Sequence, residues 1–250
     1  DELCKVMFRI TDYVMAFAPI AVFAAIASAI TIQGPKLIID YSILIGQFYV
    51  GLLVLWTLLI AFGYIFLKKD IFRLMRIVRE PTMLAFATAS SESAYPKTME
   101  ALDKFGVPKR ITSFVLPLGY SFNLDGSMMY MAFAVLFIAQ AYNIDLSFSQ
   151  QALILFTLMI TSKGIAGGSR ASIVVIASTL AMFQLPEAGI LLILAIDQFL
   201  DMGRTATNVI GNSIATAVIA RTEGNKDEST EQEGIMVNNL PPANQLADNS

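Results

Sequence analysis

Several stretches of this chain are long and apolar enough to cross a membrane, and nothing else in it constrains the fold as much. A spanning helix needs about 20 mostly apolar residues. Residues 6–32 (segment A), which contain YVMAFAPIAVFAAIASAITI, meet that requirement. So do residues 37–67 (segment B), 111–142 (segment D) and 188–220 (segment F). At membrane depth every backbone polar group must be satisfied internally, so such stretches fold as helices. Composition agrees: 56% of residues are hydrophobic and 15% are charged, against about 25% charged in soluble domains. The expected class is an all-α, multi-pass protein of the cell (inner or plasma) membrane, with the lipid bilayer as its solvent.

Two further stretches are apolar but interrupted. Residues 71–105 carry short apolar runs around ATASSESAYP, and residues 150–185 carry them around TSKGIAGGSRAS. Each half is too short to span. They read as re-entrant helical hairpins with non-helical tips, which membranes tolerate where the backbone is buried in protein or lines a cavity. The basic residues support this. Cytoplasmic loops are enriched in Lys and Arg. Lys5 and Arg9 precede segment A, and Lys68, Lys69, Arg73, Arg76 and Arg79 follow segment B. Lys97, Lys104, Lys109 and Arg110 follow the first hairpin, and Arg221 and Lys226 follow segment F. The loop at 33–38 has only Lys36, and those at 142–150 and 181–188 have none. With the basic clusters inside, each hairpin enters and leaves on one side, the first inside and the second outside. The order hairpin then helix therefore occurs twice with opposite orientation. Such an inverted repeat typifies secondary transporters with a midplane substrate site. Three regions follow: two scaffold helices in 1–70, a transport core in 71–221, and an acidic tail in 222–250 expected to be disordered.

Several functions are excluded. The net charge of −3 leaves no basic face for nucleic acid. With Cys4 alone and no histidine, there is no internal disulfide, no His-dependent triad and no Cys- or His-based metal site. No Walker A motif is present, so nothing supports ATP-driven pumping. The N-terminal DELCKVMFRITDY lacks the form of a signal peptide and reads as the middle of a longer protein.

The polar groups inside the apolar segments carry the function. In segment F, Asp197, Asp201, Arg204, Thr205, Asn208 and Asn212 recur at helical spacing on one face. Charges at that depth need a partner or a wet cavity. A structural Asp201–Arg204 salt bridge is one reading. A binding surface is the other, with Asp201 taking an amine and the planar fork of Arg204 taking a carboxylate. The continuation of the stripe as Thr and Asn favours binding. In segment D, GYSFNLDGSMMY interrupts an apolar helix at Asn123, Asp125, Gly126 and Ser127. Local unwinding there exposes carbonyls beside one carboxylate, hard ligands for an alkali cation; a kinked helix with Asp125 satisfied by a neighbour is the alternative. The tips ASSES and GIAGGS offer helix N-termini that favour anions. For Glu92, Lys163 and Arg170, beside the tips, lining the cavity and reaching water both stay open.

ASSESAYP, GYSFNLDGS, TSKGIAGG and DMGRTATNVIGN, in that order and at that spacing, resemble the glutamate/dicarboxylate:cation symporters, most closely the bacterial proton- or sodium-coupled glutamate carriers. The similarity spans roughly residues 1–224. The family is itself a known example of inverted repeats. The resemblance implies a homotrimer whose hairpins move substrate against a scaffold, coupled to sodium or protons and without an organic cofactor. It implies that Ser90 and Ser91 form the first tip against substrate, that Ser127 offers a hydroxyl, and that Asp201 takes the amine. Arg204 would take the side-chain carboxylate, and Thr205 and Asn208 the remaining polar groups. Gly119, Asn123 and Asn208 would serve one cation, Asn123 and Asp125 a second. Ser121, with carbonyls near Ser162, Lys163 and Ile165, would serve a third, with sodium the metal expected at these places. Asn212 belongs to the cation-binding set but stands where sodium-coupled members often carry Asp, which points to proton coupling or fewer sodium ions. GGSRAS, with Arg170, replaces a common Val-Pro-Gly run in the second tip, the expected extracellular gate. The chain starts near the family's fifth transmembrane helix, so four helices are expected to be absent.

The expected function is symport of glutamate or aspartate, with C4-dicarboxylate as the runner-up. Succinate has no amine, so Asp201 would be an awkward neighbour for it. Two other classes compete. An intramembrane aspartyl protease using Asp125 and Asp201 would need a shared proton, but Arg204 would hold Asp201 ionised, and a non-enzyme is expected. A truncated, non-transporting remnant is the other.

Overall fold

The computed structural model describes residues 36–164 and 171–238, with isolated positions 20, 23, 27 and 31. The rest of segment A, most of the second tip including Ile165 and Arg170, and residues 239–250 lie outside the described residues. All regular structure among the described residues is helical.

Helix α1 (Lys36–Leu67) is apolar all round. Its stretch Ile39–Leu67 has 29 residues and so is about 43 Å long at 1.5 Å per residue, more than a bilayer core needs. Leu44, Phe48 and Leu52 are buried, while Ile43, Val50, Leu53, Val54, Leu58 and Phe62 on the other faces are exposed. A helix with no polar face suits lipid on one side and protein on the other.

The first hairpin is built from three helices: α2 (Asp70–Ile77), α3 (Arg79–Thr88) and α4 (Ser91–Phe105). Helix α3 ends at Ala89 in the left-handed conformation, with φ 48°. Extended Ser90 then caps α4, its Oγ accepting from the Ser93 N–H at 3.3 Å. The two residues 89–90 reverse the chain, and α3 packs against α4.

Segment D is two helices, α5 (Lys109–Phe122) and α6 (Asp125–Ala141), as its Asn-Leu-Asp-Gly run predicts. Asn123 (φ −119°, ψ 67°) and Leu124 (φ −102°, ψ 67°) are non-helical. In the second hairpin region, α7 (Phe148–Thr161) opens on a capping box between Ser147 and Gln150. A short 3₁₀ turn, Ser162–Gly164, follows α7, and α8 (Ala171–Met182) packs on both α7 and α6.

Segment F departs from a single continuous span. A 3₁₀ turn at Glu187–Gly189 leads to the short α9 (Ile190–Leu194), and the chain turns at residues 195–196. Helix α10 (Asp197–Asn238) follows and continues past the expected boundary at 221.

Helix α10 is the axis of the fold. It packs against α1, α3, α4, α5 and α6. The small residues Ala85 and Ala94 of the first hairpin let both arms close on Val209. One apolar cluster joins α1, α6, α7 and α8 to Leu200; another joins α2, α4 and α5 to Ile210 and Ile214. Helix α1 lies along α10, and the Trp56 indole donates to Thr207 Oγ1 at 2.7 Å.

Glycine makes one contact possible. A Cβ at Gly126 would meet the Arg204 carbonyl oxygen, with Thr207 Cβ at 2.8 Å. Gly126→Ala should therefore force α6 off α10 and cost about 1–3 kcal/mol by overpacking. Gly46→Ala, with nothing within 4 Å of the new methyl, should instead be neutral or stabilising through helix propensity. Thermal unfolding in detergent checks the contrast. Equal shifts for the two variants would contradict the close α6–α10 contact.

Candidate functional site

Helix α10 carries its polar stripe inward, so that stripe is the natural starting point. Asp197, Asp201, Arg204, Thr205, Asn208 and Asn212 are each less than 5% exposed. Polar groups this buried must be hydrogen-bonded to be tolerated. The guanidinium of Arg204 donates from Nε to Asp201 Oδ1 at 2.6 Å, and Thr205 Oγ1 donates to the same oxygen at 3.0 Å. Arg204 also donates from Nη1 to Ser172 Oγ at the start of α8. Its Cζ lies 5.1 Å from the centre of the Tyr130 ring, within cation–π range. The Tyr130 hydroxyl donates to Asp197 Oδ1 at 2.6 Å. The guanidinium is thus fixed by a carboxylate, a hydroxyl and an aromatic face from three helices.

Both readings of the Asp201–Arg204 pair raised by the sequence meet here. The two side chains hold one another, as a structural salt bridge would. The bonds to Asp201 and Ser172 use Nε and Nη1 of a five-donor fork. A ligand bearing both a carboxylate and an ammonium could replace each partner with an equivalent one, so that neither charge is left buried and unpaired.

The second part of the site is the break between α5 and α6. At the start of α6, the N–H groups of Gly126 and Ser127 donate to Asn208 Oδ1 at 2.9 and 3.3 Å. Asn208 Nδ2 donates in turn to Ser127 Oγ at 3.1 Å. The amide of one helix therefore caps another, satisfying donors that a helix start leaves free. Asn123 Nδ2 donates to Asp125 Oδ2 at 3.3 Å and to Asn212 Oδ1 at 3.2 Å. Asn212 Nδ2 is buried with no hydrogen-bond partner. Gly119 lies against the Asn212 amide, and Gly211 against the Asp125 carboxylate, each closely enough that a Cβ would collide. Amide oxygens, a hydroxyl and one carboxylate form a hard-oxygen set. A single carboxylate matches a monovalent charge, and no cluster of three His, Cys, Asp or Glu occurs among the described residues.

The remaining expected residues are placed as follows. Ser91 is buried beside Ser90, and Thr88 Oγ1 and Ser93 Oγ bond to one another at 2.7 Å across the first tip. Glu92 is exposed. The Gly119 carbonyl accepts the Asn123 N–H at 2.7 Å, so one of its lone pairs is already used. Ser121 Oγ donates to the Pro117 carbonyl at 3.3 Å, and Ser162 Oγ to the Met159 carbonyl at 3.2 Å. Lys163 Nζ donates to the Phe122 carbonyl at 2.6 Å. Sequence reasoning missed Tyr130 and Ser172. Tyr130 could have been found as a hydroxyl in an otherwise apolar helix; Ser172 carried no signal of its own.

The sequence that builds this arrangement has known relatives. The profile of the "Sodium:dicarboxylate symporter family" matches residues 1–222. The chain belongs to that family. It is 45% identical over 229 residues to the "Proton/sodium-glutamate symport protein" of Bacillus caldotenax, covering 90% of this chain and 53% of that one. It is 42% identical over 224 residues to the "Proton/glutamate-aspartate symporter" of Escherichia coli (strain K12), covering 89% and 51%. It is 41% identical over 230 residues to "C4-dicarboxylate transport protein 2" of Mesorhizobium japonicum, covering 92% and 52%. The chain thus spans about half the length of the curated relatives it matches. The family is one of membrane symporters. In keeping with that, the stretches Ile39–Leu67 and Lys109–Ala141 are long and apolar enough to cross a bilayer.

Proposed function

We propose that this protein is the substrate-binding half of a symporter that moves an acidic amino acid together with sodium or protons. The observation that carries the reading is the buried Asp201–Arg204 pair with Thr205 and Asn208 on the same helix. An α-amino dicarboxylate matches it charge for charge: ammonium to Asp201, side-chain carboxylate to Arg204. Ser127, already bonded to Asn208, supplies a hydroxyl, and Ser90 and Ser91 close the site from the first tip. Asn123, Asp125, Asn208 and Asn212, with the Gly119 carbonyl, are the oxygen set for a coupling cation. The helix pairs around residues 89–90 and 162–171 act as re-entrant hairpins of an inverted repeat, the second as the outer gate. The working unit is a multi-pass homotrimer in the cell membrane.

A C4-dicarboxylate is the second reading, favoured by the name of the Mesorhizobium relative. The two differ over the amine. Trp56, the only tryptophan in the chain, is bonded to Thr207 beside Asn208, so its fluorescence reports on the site. Titration with L-aspartate, succinate and L-glutamine in sodium chloride separates the readings. We expect aspartate to bind about 100-fold more tightly than glutamine, the worth of one well-paired buried charge. Succinate binding more tightly than aspartate would transfer the assignment to a dicarboxylate carrier.

A further inference from the structure

We infer that the ammonium group of Lys163 takes the place of one coupling cation at the C-terminal end of α5. The inference rests on the symport reading and concerns how many ions travel with the substrate. Ser121, with carbonyls near Ser162, Lys163 and Ile165, is the third cation place that the resemblance implies. Of these, Ile165 lies outside the described residues. Ser121 Oγ and Ser162 Oγ donate to the carbonyls of Pro117 and Met159, which leaves their lone pairs open to a cation. A tethered positive charge is already there: Lys163 Nζ donates to the Phe122 carbonyl at 2.6 Å.

The position explains itself physically. Helix α5 stops at Phe122, and the non-helical backbone at Asn123 and Leu124 ends its hydrogen-bond ladder. The Asn123 N–H returns to Gly119, but the carbonyls that follow lose their helical partners. The C-terminal end of a helix is also the negative end of its dipole and attracts a cation. The opposite side of the same break exposes N–H groups, and there Asn208 supplies an amide oxygen. One break thus recruits a donor on its carbonyl side and an acceptor on its amide side. The 3₁₀ turn Ser162–Gly164 packs against α5 and delivers Lys163 from a residue 41 positions away. Asp125, the carboxylate of the break, is within electrostatic reach of that ammonium. An ammonium carries the same single charge as an alkali ion and offers three donors to surrounding oxygens. Because it is covalently held, it balances the site without being transported. Lys163 is exposed in this chain, so a sodium ion could reach the same carbonyl once the lysine is removed.

The test is the sodium response of thermal stability, which needs no transport. The protein in detergent is melted in sodium chloride and in choline chloride at equal ionic strength, as wild type, Lys163→Met and Lys163→Arg. A ligand that binds only the folded state raises Tm as its concentration exceeds its Kd. Lys163→Met should melt below wild type in choline. Its rise on adding sodium should exceed the wild-type rise by roughly 5 °C, the shift expected for one further ion site. Lys163→Arg, which keeps a charge, should follow wild type. Parallel sodium responses in wild type and Lys163→Met overturn the inference. If the methionine variant does not fold, thallous ion soaked into wild-type crystals decides: no anomalous peak at the Phe122 carbonyl supports it, and a peak there overturns it. Failure of the symport reading would appear separately, as absent gradient-driven uptake by wild type.

Discussion

Replacing Arg204 with alanine should remove binding of acidic amino acids while weakening neutral ones far less. Arg204 is buried, paired with Asp201 at 2.6 Å and stacked on Tyr130. Loss of one partner of a buried, hydrogen-bonded charge pair costs about 2–5 kcal/mol of binding, or roughly thirty- to several-thousand-fold in Kd. The same variant should lose about 3–5 kcal/mol of stability, because Asp201 is left buried and uncompensated. Those two losses need separating. The double variant Asp201→Leu/Arg204→Met removes both charges and should recover most of the stability, since apolar replacement of a buried pair is often neutral or better. It should not recover aspartate binding. Equal losses for aspartate and glutamine in Arg204→Ala would sink the assigned role.

Asn208→Leu should be the next most damaging change. Its amide oxygen accepts from Gly126 and Ser127, and its nitrogen donates to Ser127 Oγ. A leucine leaves two N–H groups at the start of α6 without their acceptor, at about 1–3 kcal/mol each. Ser127→Ala removes only the third of these bonds and should cost about 1 kcal/mol. Thermal melts of the two variants should differ clearly. Similar melting points would show that the α6 cap carries little of the stability.

How far the sequence could be read depended on whether a feature had a local cause. The break at 123–124 was legible because Asn, Asp and Gly cluster inside an apolar run. The turn at 195–196 was not, because ILAIDQ contains neither Gly nor Pro. The Asp201–Arg204 pair follows from a spacing of three on one helix. The contact of Arg204 with Ser172 does not, since it joins residues 32 apart through the packing of α8. The Asn208 cap spans 82 residues to Gly126, and only the crossing of α6 over α10 creates it. The seat of helix α1 against α10 was not legible for a related reason. A helix apolar on every face has no periodicity to say which face meets protein, and Tyr49 and Trp56, by bonding the Phe199 carbonyl and Thr207, mark the side that lies on α10. Lys163 stood out within TSKGIAGG, but where its ammonium goes depends on the end of another helix.

The central claim is gradient-driven movement of an acidic amino acid. Its most direct test is uptake of radiolabelled L-aspartate into proteoliposomes holding this protein, with an inward sodium gradient, an inward proton gradient, or neither. The account predicts uptake that requires one of the gradients and that Arg204→Ala abolishes. Uptake that is indifferent to both gradients, or none from protein shown to be inserted and folded, would contradict it.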